Sequence, residues 1–179
     1  MRRRFAIAFL ALVGIVPAVS AEEIVIDFEQ AEIGKPQPTW TEKGVVFNLA
    51  GPLTTSKATG RIMFFPHLAT NHKGILNAMA TEQAIPVQAT FPSIVSAVTL
   101  VLWGSTGCPA VVEALDQNGE VVDKASVVAV PGRKSAGDPI PFLKLTVKAP
   151  AIAAIRFGGP RNGEFLAADE IRFTPADAK

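Results

Sequence analysis

The stretch from Phe142 to Phe173 constrains the fold more than any other part of the chain, because it holds three apolar β-type runs separated by turns. In Phe142-Leu143-Lys144-Leu145-Thr146-Val147 and in Ile152-Ala153-Ala154-Ile155-Arg156-Phe157, apolar residues alternate with polar or small ones at a period near two. That period belongs to a strand with one face buried and the other wet. Pro150 and Gly158-Gly159-Pro160 separate the runs, and Asp169-Glu170-Ile171-Arg172-Phe173 closes the stretch.

The same grammar runs through the rest of the chain. Glu23 to Glu29 alternates and predicts a first strand; Gly44 to Leu49, Arg61 to Phe65, Ile75 to Ala80, Ile85 to Phe91 and Ser96 to Trp103 predict further ones. Ala110 to Leu115 and Glu120 to Val130 flank Asp116-Gln117-Asn118-Gly119, whose Asn-Gly pair accepts the positive φ of a tight hairpin turn. Two prolines within Gly34 to Trp40 exclude regular structure there and leave Trp40 at a loop or strand edge, and Pro131 to Pro141 predicts an exposed loop. No long helix and no internal repeat is visible. About nine to eleven short strands at a spacing of about 8 to 12 residues define an all-β chain, a single β-sandwich or jelly roll rather than an α/β fold.

With 179 residues, 49% of them hydrophobic and 18% charged, the chain suits one globular domain. At the N-terminus, Arg2 to Arg4 form a cationic region, Phe5 to Val16 an apolar one, and Val19-Ser20-Ala21 a small-residue cleavage site. This predicts a signal peptide over residues 1–21 and a β-sandwich domain over 22–179, placed in the periplasm or secreted. The apolar run is shorter than the ~20 residues that span a bilayer, so no membrane span is expected after cleavage. The formal net charge of +1 becomes about −2 without those three arginines, with 14 basic residues against 16 acidic. Lys124, Arg133 and Lys134 are too dispersed for a nucleic-acid stripe. Cys108, the single cysteine, rules out an intramolecular disulfide and lies in a turn, where a half-buried inert thiol is expected.

Taken together, Ile26-Asp27-Phe28-Glu29 followed by Gly44 to Phe47, the hairpin Glu113 to Val122, and the ending Ile152 to Phe157 then Ala168 to Phe173 resemble the galactose-binding-like jelly-roll domains of secreted bacterial proteins. That superfamily includes many carbohydrate-binding modules, so the resemblance implies glycan binding; the same scaffold also serves protein-binding and structural roles. It further implies that the first and last strands lie side by side, with a structural calcium ion bridging their ends at Glu29 and Asp169. Two ordinary surface carboxylates are the alternative.

Several side chains carry chemistry suited to a ligand. Trp40 could stack on a sugar ring, whereas Trp103 sits in an apolar run and is assigned to the core. Arg156, Arg161 and Asn162 offer planar groups for bidentate contacts with hydroxyls or carboxylates, and equally suit a plain solvated surface. His67 and His72 could supply two imidazoles to a metal, but no third ligand of matching type lies near in sequence, and both are assigned to solvated loop. No phosphate-binding glycine loop, G-x-S-x-G elbow or metalloprotease helix is present. The expected function is an exported, non-catalytic binding domain for a glycan or small ligand. A structural or protein-interaction domain of the cell envelope is the alternative. A glycoside-active enzyme using a pair among Asp27, Glu29, Asp169 and Glu170 is the third reading.

Overall fold

A computed structural model of the chain describes residues 22–51, 61–67, 70, 72–78, 84–135, 137–158 and 165–176. The expected signal peptide lies outside the described residues. Among those described there is no helix, and ten strands occur: β1 (Ile24–Ile26), β2 (Trp40–Glu42), β3 (Val45–Leu49), β4 (Ile62–Pro66), β5 (Lys73–Asn77), β6 (Val87–Gly104), β7 (Ala110–Leu115), β8 (Val121–Val127), β9 (Leu143–Gly158) and β10 (Leu166–Pro175).

Two strands are long enough to belong to both layers of a sandwich. In the first layer the order is β2-β3-β6-β9-β7-β8, formed by Val87 to Thr90 of β6 and Ala154 to Gly158 of β9. In the second it is β4-β5-β10-β6-β9, formed by the other halves of the same two strands, with β1 beside β10. All these pairings are antiparallel. The corner is a pair of opposed bulges. Thr90 pairs with Ala154 and Val95 with Ile152, so residues 91–94 of β6 face Ala153 alone; Ala97 then pairs with Lys148, so residues 149–151 of β9 face Ser96 alone. Bulges of this kind bend a strand and let it change sheets.

The sequence divides each of these strands in two, at Pro92 and at Pro150, and the structure corrects this. Both prolines fall inside the bulges, where the ladder is interrupted and a missing N–H costs no pairing. Other boundaries move as well. The first strand ends at Ile26 rather than Glu29, because Phe28 adopts a left-handed conformation (φ 58°) that turns the chain while burying its ring completely. The strand expected over Ile75 to Ala80 lies at Lys73–Asn77, and β8 stops at Val127. The short strand β2 is an addition. It is joined to β3 by Lys43 and Gly44, both at positive φ, as a two-residue hairpin loop requires.

The inward faces of both layers form one apolar core that includes Phe28, Phe47, Phe64, Leu100, Ile155 and Phe157. Phe28 packs on Phe47 with ring centroids 5.3 Å apart and on Phe64 at 5.7 Å, so the turn after β1 ties β3 in one layer to β4 in the other. Each such ring, fully buried, contributes about 1.5–3 kcal/mol relative to exposure. A second, smaller cluster on the outside of the second layer gathers Leu76, Trp103 and Ala167 under Ile140 and Phe142. It anchors the end of the loop 131–142.

Candidate functional site

On the outer face of the first layer, five hydrogen-bonding side chains fall into one row, one on each of five neighbouring strands. Asn48 pairs with Gln88, Gln88 with Arg156, Arg156 with Glu113, and Glu113 with Lys124. Their neighbours Phe47, Ala89, Ile155 and Ala114 are fully buried, so alternation turns the five outward. At a strand spacing of about 4.8 Å, the row is roughly 19 Å long.

Charge organises its centre. Arg156 Nε donates to Glu113 Oε2 at 2.6 Å, and Lys124 Nζ donates to Glu113 Oε1 at 3.0 Å. The Arg156 hydrogen bond, against the opposing effect of burial and assisted by Lys124, holds the Glu113 carboxyl below the ordinary glutamate value. Arg156 keeps its terminal NH2 groups without a partner among the described residues. Beside the row is an open groove of about 200 Å³ lined by Ala84, Pro86, Val111, Glu113, Lys124, Arg156, Phe157 and Gly158. A Cβ at Gly158 would stand 3.3 Å from Pro86 Cα, so glycine keeps the strand end close to that wall.

Of the residues singled out from the sequence, Arg156 lies in this row. Trp40 does not. It pairs with the inward-facing Phe47, and its indole packs edge-on against Phe64 at 5.1 Å, with Nε1 donating to Glu42 Oε2 at 3.4 Å. The structure therefore places Trp40 and Arg156 on opposite faces of one layer. Arg161 and Asn162 lie outside the described residues. Asn48, Gln88 and Glu113 were not legible as site residues, because each lies on a different strand and only the register unites them.

Glu29 and Asp169 line one open cleft of about 410 Å³, together with Asp27, Thr70, His72 and Glu170. Glu29 stands in the turn beyond β1 and Asp169 within β10, not at its start. The two histidines part company. His72 is exposed at this cleft, whereas His67 is 1% exposed and not a solvated loop residue. The His67 ring stacks on Phe142 at 4.4 Å; its Nδ1 meets Thr70 Oγ1 at 2.9 Å and its Nε2 meets Ile140 O at 3.0 Å. Cys108 is buried in the main core rather than half-buried, and Trp103 is core as expected.

No protein-family model matches the chain, and no curated protein matches it. Among solved structures, it is similar to the K1 cleaved adhesin domain of Lys-gingipain from Porphyromonas gingivalis W83, with a TM-score of 0.54 and 12% identity over 86% of this chain and 98% of that one. The K2 cleaved adhesin domain of Lys-gingipain aligns with a TM-score of 0.54 and 12% identity over 85% and 97%. TmCBM61 in complex with beta-1,4-galactotriose aligns at a TM-score of 0.43 and 13% identity over 83% and 94%. The likeness to the two adhesin domains covers 85% and 86% of this chain and nearly the whole of each of theirs, and agrees with the fold class, an all-β sandwich of jelly-roll type.

Proposed function

We propose that this chain is an exported, non-catalytic domain that binds an extended glycan along the outer row Asn48, Gln88, Arg156, Glu113 and Lys124. The observation that carries the reading is the row itself, five hydrogen-bonding groups held in register beside a groove. Guanidinium and amide groups pair well with vicinal hydroxyls, and strand spacing is close to the length of one sugar ring in a chain. Fixing the contacts on strands reduces the ordering cost of binding. Along the row itself a catalytic role fits less well, since a glycosidase needs a carboxyl raised to act as an acid, and Glu113, the one carboxylate of the row, is lowered, whereas the Asp169 carboxyl, raised by burial, lies in the other cleft. Among the described residues, no helix is long and apolar enough to cross a membrane.

The test is retention on immobilised polysaccharides and a glycan array, for wild type, Arg156→Ala and Gln88→Ala. Binding to one sugar class, weakened in both variants, supports the reading. Absence of binding across all classes, or binding untouched by both variants, overturns it. The second reading, a protein-interaction domain, draws on β8, a strand that among the described residues is paired on one side only, where Val121 and Val122 are 45% and 42% exposed. There, substitutions on β8 would abolish partner binding and sugars would not compete.

A further inference from the structure

Two cations and one carboxylate meet at the centre of the outer row. Glu113 accepts from Arg156 Nε through Oε2 and from Lys124 Nζ through Oε1, so both of its oxygens are taken and its charge is answered twice. The three side chains differ in what they show to solvent: Glu113 is 19% exposed, against 36% for Arg156 and 54% for Lys124. The carboxylate is therefore sunk between its partners, and an approaching ligand meets the cations first. Among the described residues no second carboxylate lines the groove, where Pro86, Val111, Phe157 and Gly158 make the rest of the wall neutral. One unit of positive charge is left unanswered.

The donors left over have a shape as well as a charge. Arg156 uses its Nε–H on Glu113, and the N–H groups of its two terminal nitrogens have no partner among the described residues. Those two nitrogens form the fork that takes a pair of anionic oxygens in parallel. Lys124 keeps two of its three donors beside it. On the other side of Arg156 the row is neutral: Gln88 Nε2 donates to Thr90 Oγ1 at 3.4 Å, which leaves the amide carbonyl of Gln88 to accept from a hydroxyl. A sugar hydroxyl satisfies one donor at a time and brings no charge, whereas an anionic group satisfies the fork at once and cancels the excess.

Resting on the reading of the row as a glycan site, we propose that its ligand is an acidic glycan, whose carboxylate or sulfate group sits on the terminal nitrogens of Arg156 with Lys124 alongside, while a neutral stretch of the same chain lies over Gln88 and Asn48. The cations are exposed, so the preference for the acidic form depends on ionic strength.

Binding is measured by titration calorimetry with two matched pairs of polymers: polygalacturonate against its methyl ester, and a sulfated galactan against the same polymer desulfated. In one pair at least, the charged form should bind about tenfold tighter or more at low salt, and the ratio should shrink as salt rises. The pair that shows it tells carboxylate from sulfate. In Arg156→Gln the ratio should fall close to one, and in Lys124→Gln it should fall part of the way. Because each ratio is taken within one protein, lost stability does not imitate the effect; should Arg156→Gln fail to fold, Lys124→Gln and the salt series still decide. Equal binding of charged and uncharged forms, weakened by Gln88→Ala, would overturn the acidic ligand while leaving the row as a glycan site. A preference for the charged form that both cation variants leave unchanged would overturn it too, and absence of binding to all four polymers would overturn it together with the reading on which it rests.

Discussion

Arg156 Nε donates to Glu113 Oε2 over 2.6 Å, joining the outer face of β9 to that of β7 at the middle of the polar row. Glu113 also accepts from Lys124 on the edge strand, so one carboxylate links three strands. Because its folded pKa lies below its unfolded value, it contributes stability that is fully present above about 4.5 and is lost as the pH falls through the lowered folded value. Glu113→Gln is expected to cost about 1 kcal/mol at neutral pH. Denaturant melts of both proteins between neutral pH and about pH 3 should show the gap closing on the acid side; a gap independent of pH would contradict the assignment.

Gly104 ends β6 where a Cβ would lie 2.4 Å from the backbone oxygen of Phe165, which also accepts from Ser105 N at 3.0 Å. Backbone cannot give way as a side-chain tip can. Gly104→Ala should lose about 2–3 kcal/mol, and the midpoint should drop several degrees. Gly51→Ala, at a glycine whose added Cβ meets nothing within 4 Å, is the control and should change the midpoint little.

Trp103 is 1% exposed, and its Nε1 has no partner among the described residues. Trp103→Phe deletes that orphan donor while keeping most of the apolar contact, so loss of area and relief of an unpaired N–H, about 1–3 kcal/mol, nearly cancel. Trp103→Ala leaves a cavity and should cost about 3–5 kcal/mol. Urea denaturation of the two variants measures the contrast; equal losses would mean that the indole N–H has a partner after all.

His67 clamps the far end of the loop 131–142 by stacking on Phe142 and bonding Ile140 O. His67→Ala should free that end. Amide hydrogen exchange at Ile140 and Phe142 should accelerate, while exchange in β7 stays as in wild type. Unchanged protection at Phe142 would show that Trp103 and Phe165 hold the loop without the imidazole.

How far the sequence carries the fold depends on the range of the interaction that decides each element. The hairpin at Asp116 to Gly119 was legible because its determinants are local: Gly119 takes φ 81°, and Asp116 Oδ1 accepts from Asn118 N and Glu120 N. Val45 to Leu49 was legible through its alternation. Pro92 and Pro150 misled, because each lies in a bulge of its own strand, where the ladder is interrupted without ending the strand. Phe28 misled through its left-handed backbone, a conformation that a bulky residue rarely adopts. The polar row was hidden for a different reason. Arg156 could be named, but its alignment with Asn48, Gln88, Glu113 and Lys124 is a fact of register between strands distant in sequence. The adjacency of Glu29 and Asp169 followed from the resemblance, whereas His72 joins them only through the way β5 enters.

The bent strands β6 and β9 also set the order of events during synthesis. β9 is an inner strand of the first layer and the partner of β6 in the second, and β10 stands between β5 and β6. A ribosome that has delivered residues 1–142 has produced β6 and the hairpin β7–β8 with nothing to join them. Neither layer can close until residue 158 has emerged, and the second not until β10 follows. The nascent chain is therefore expected to stay open for most of its length and then fold in one late step, with the slow kinetics typical of long-range strand pairing.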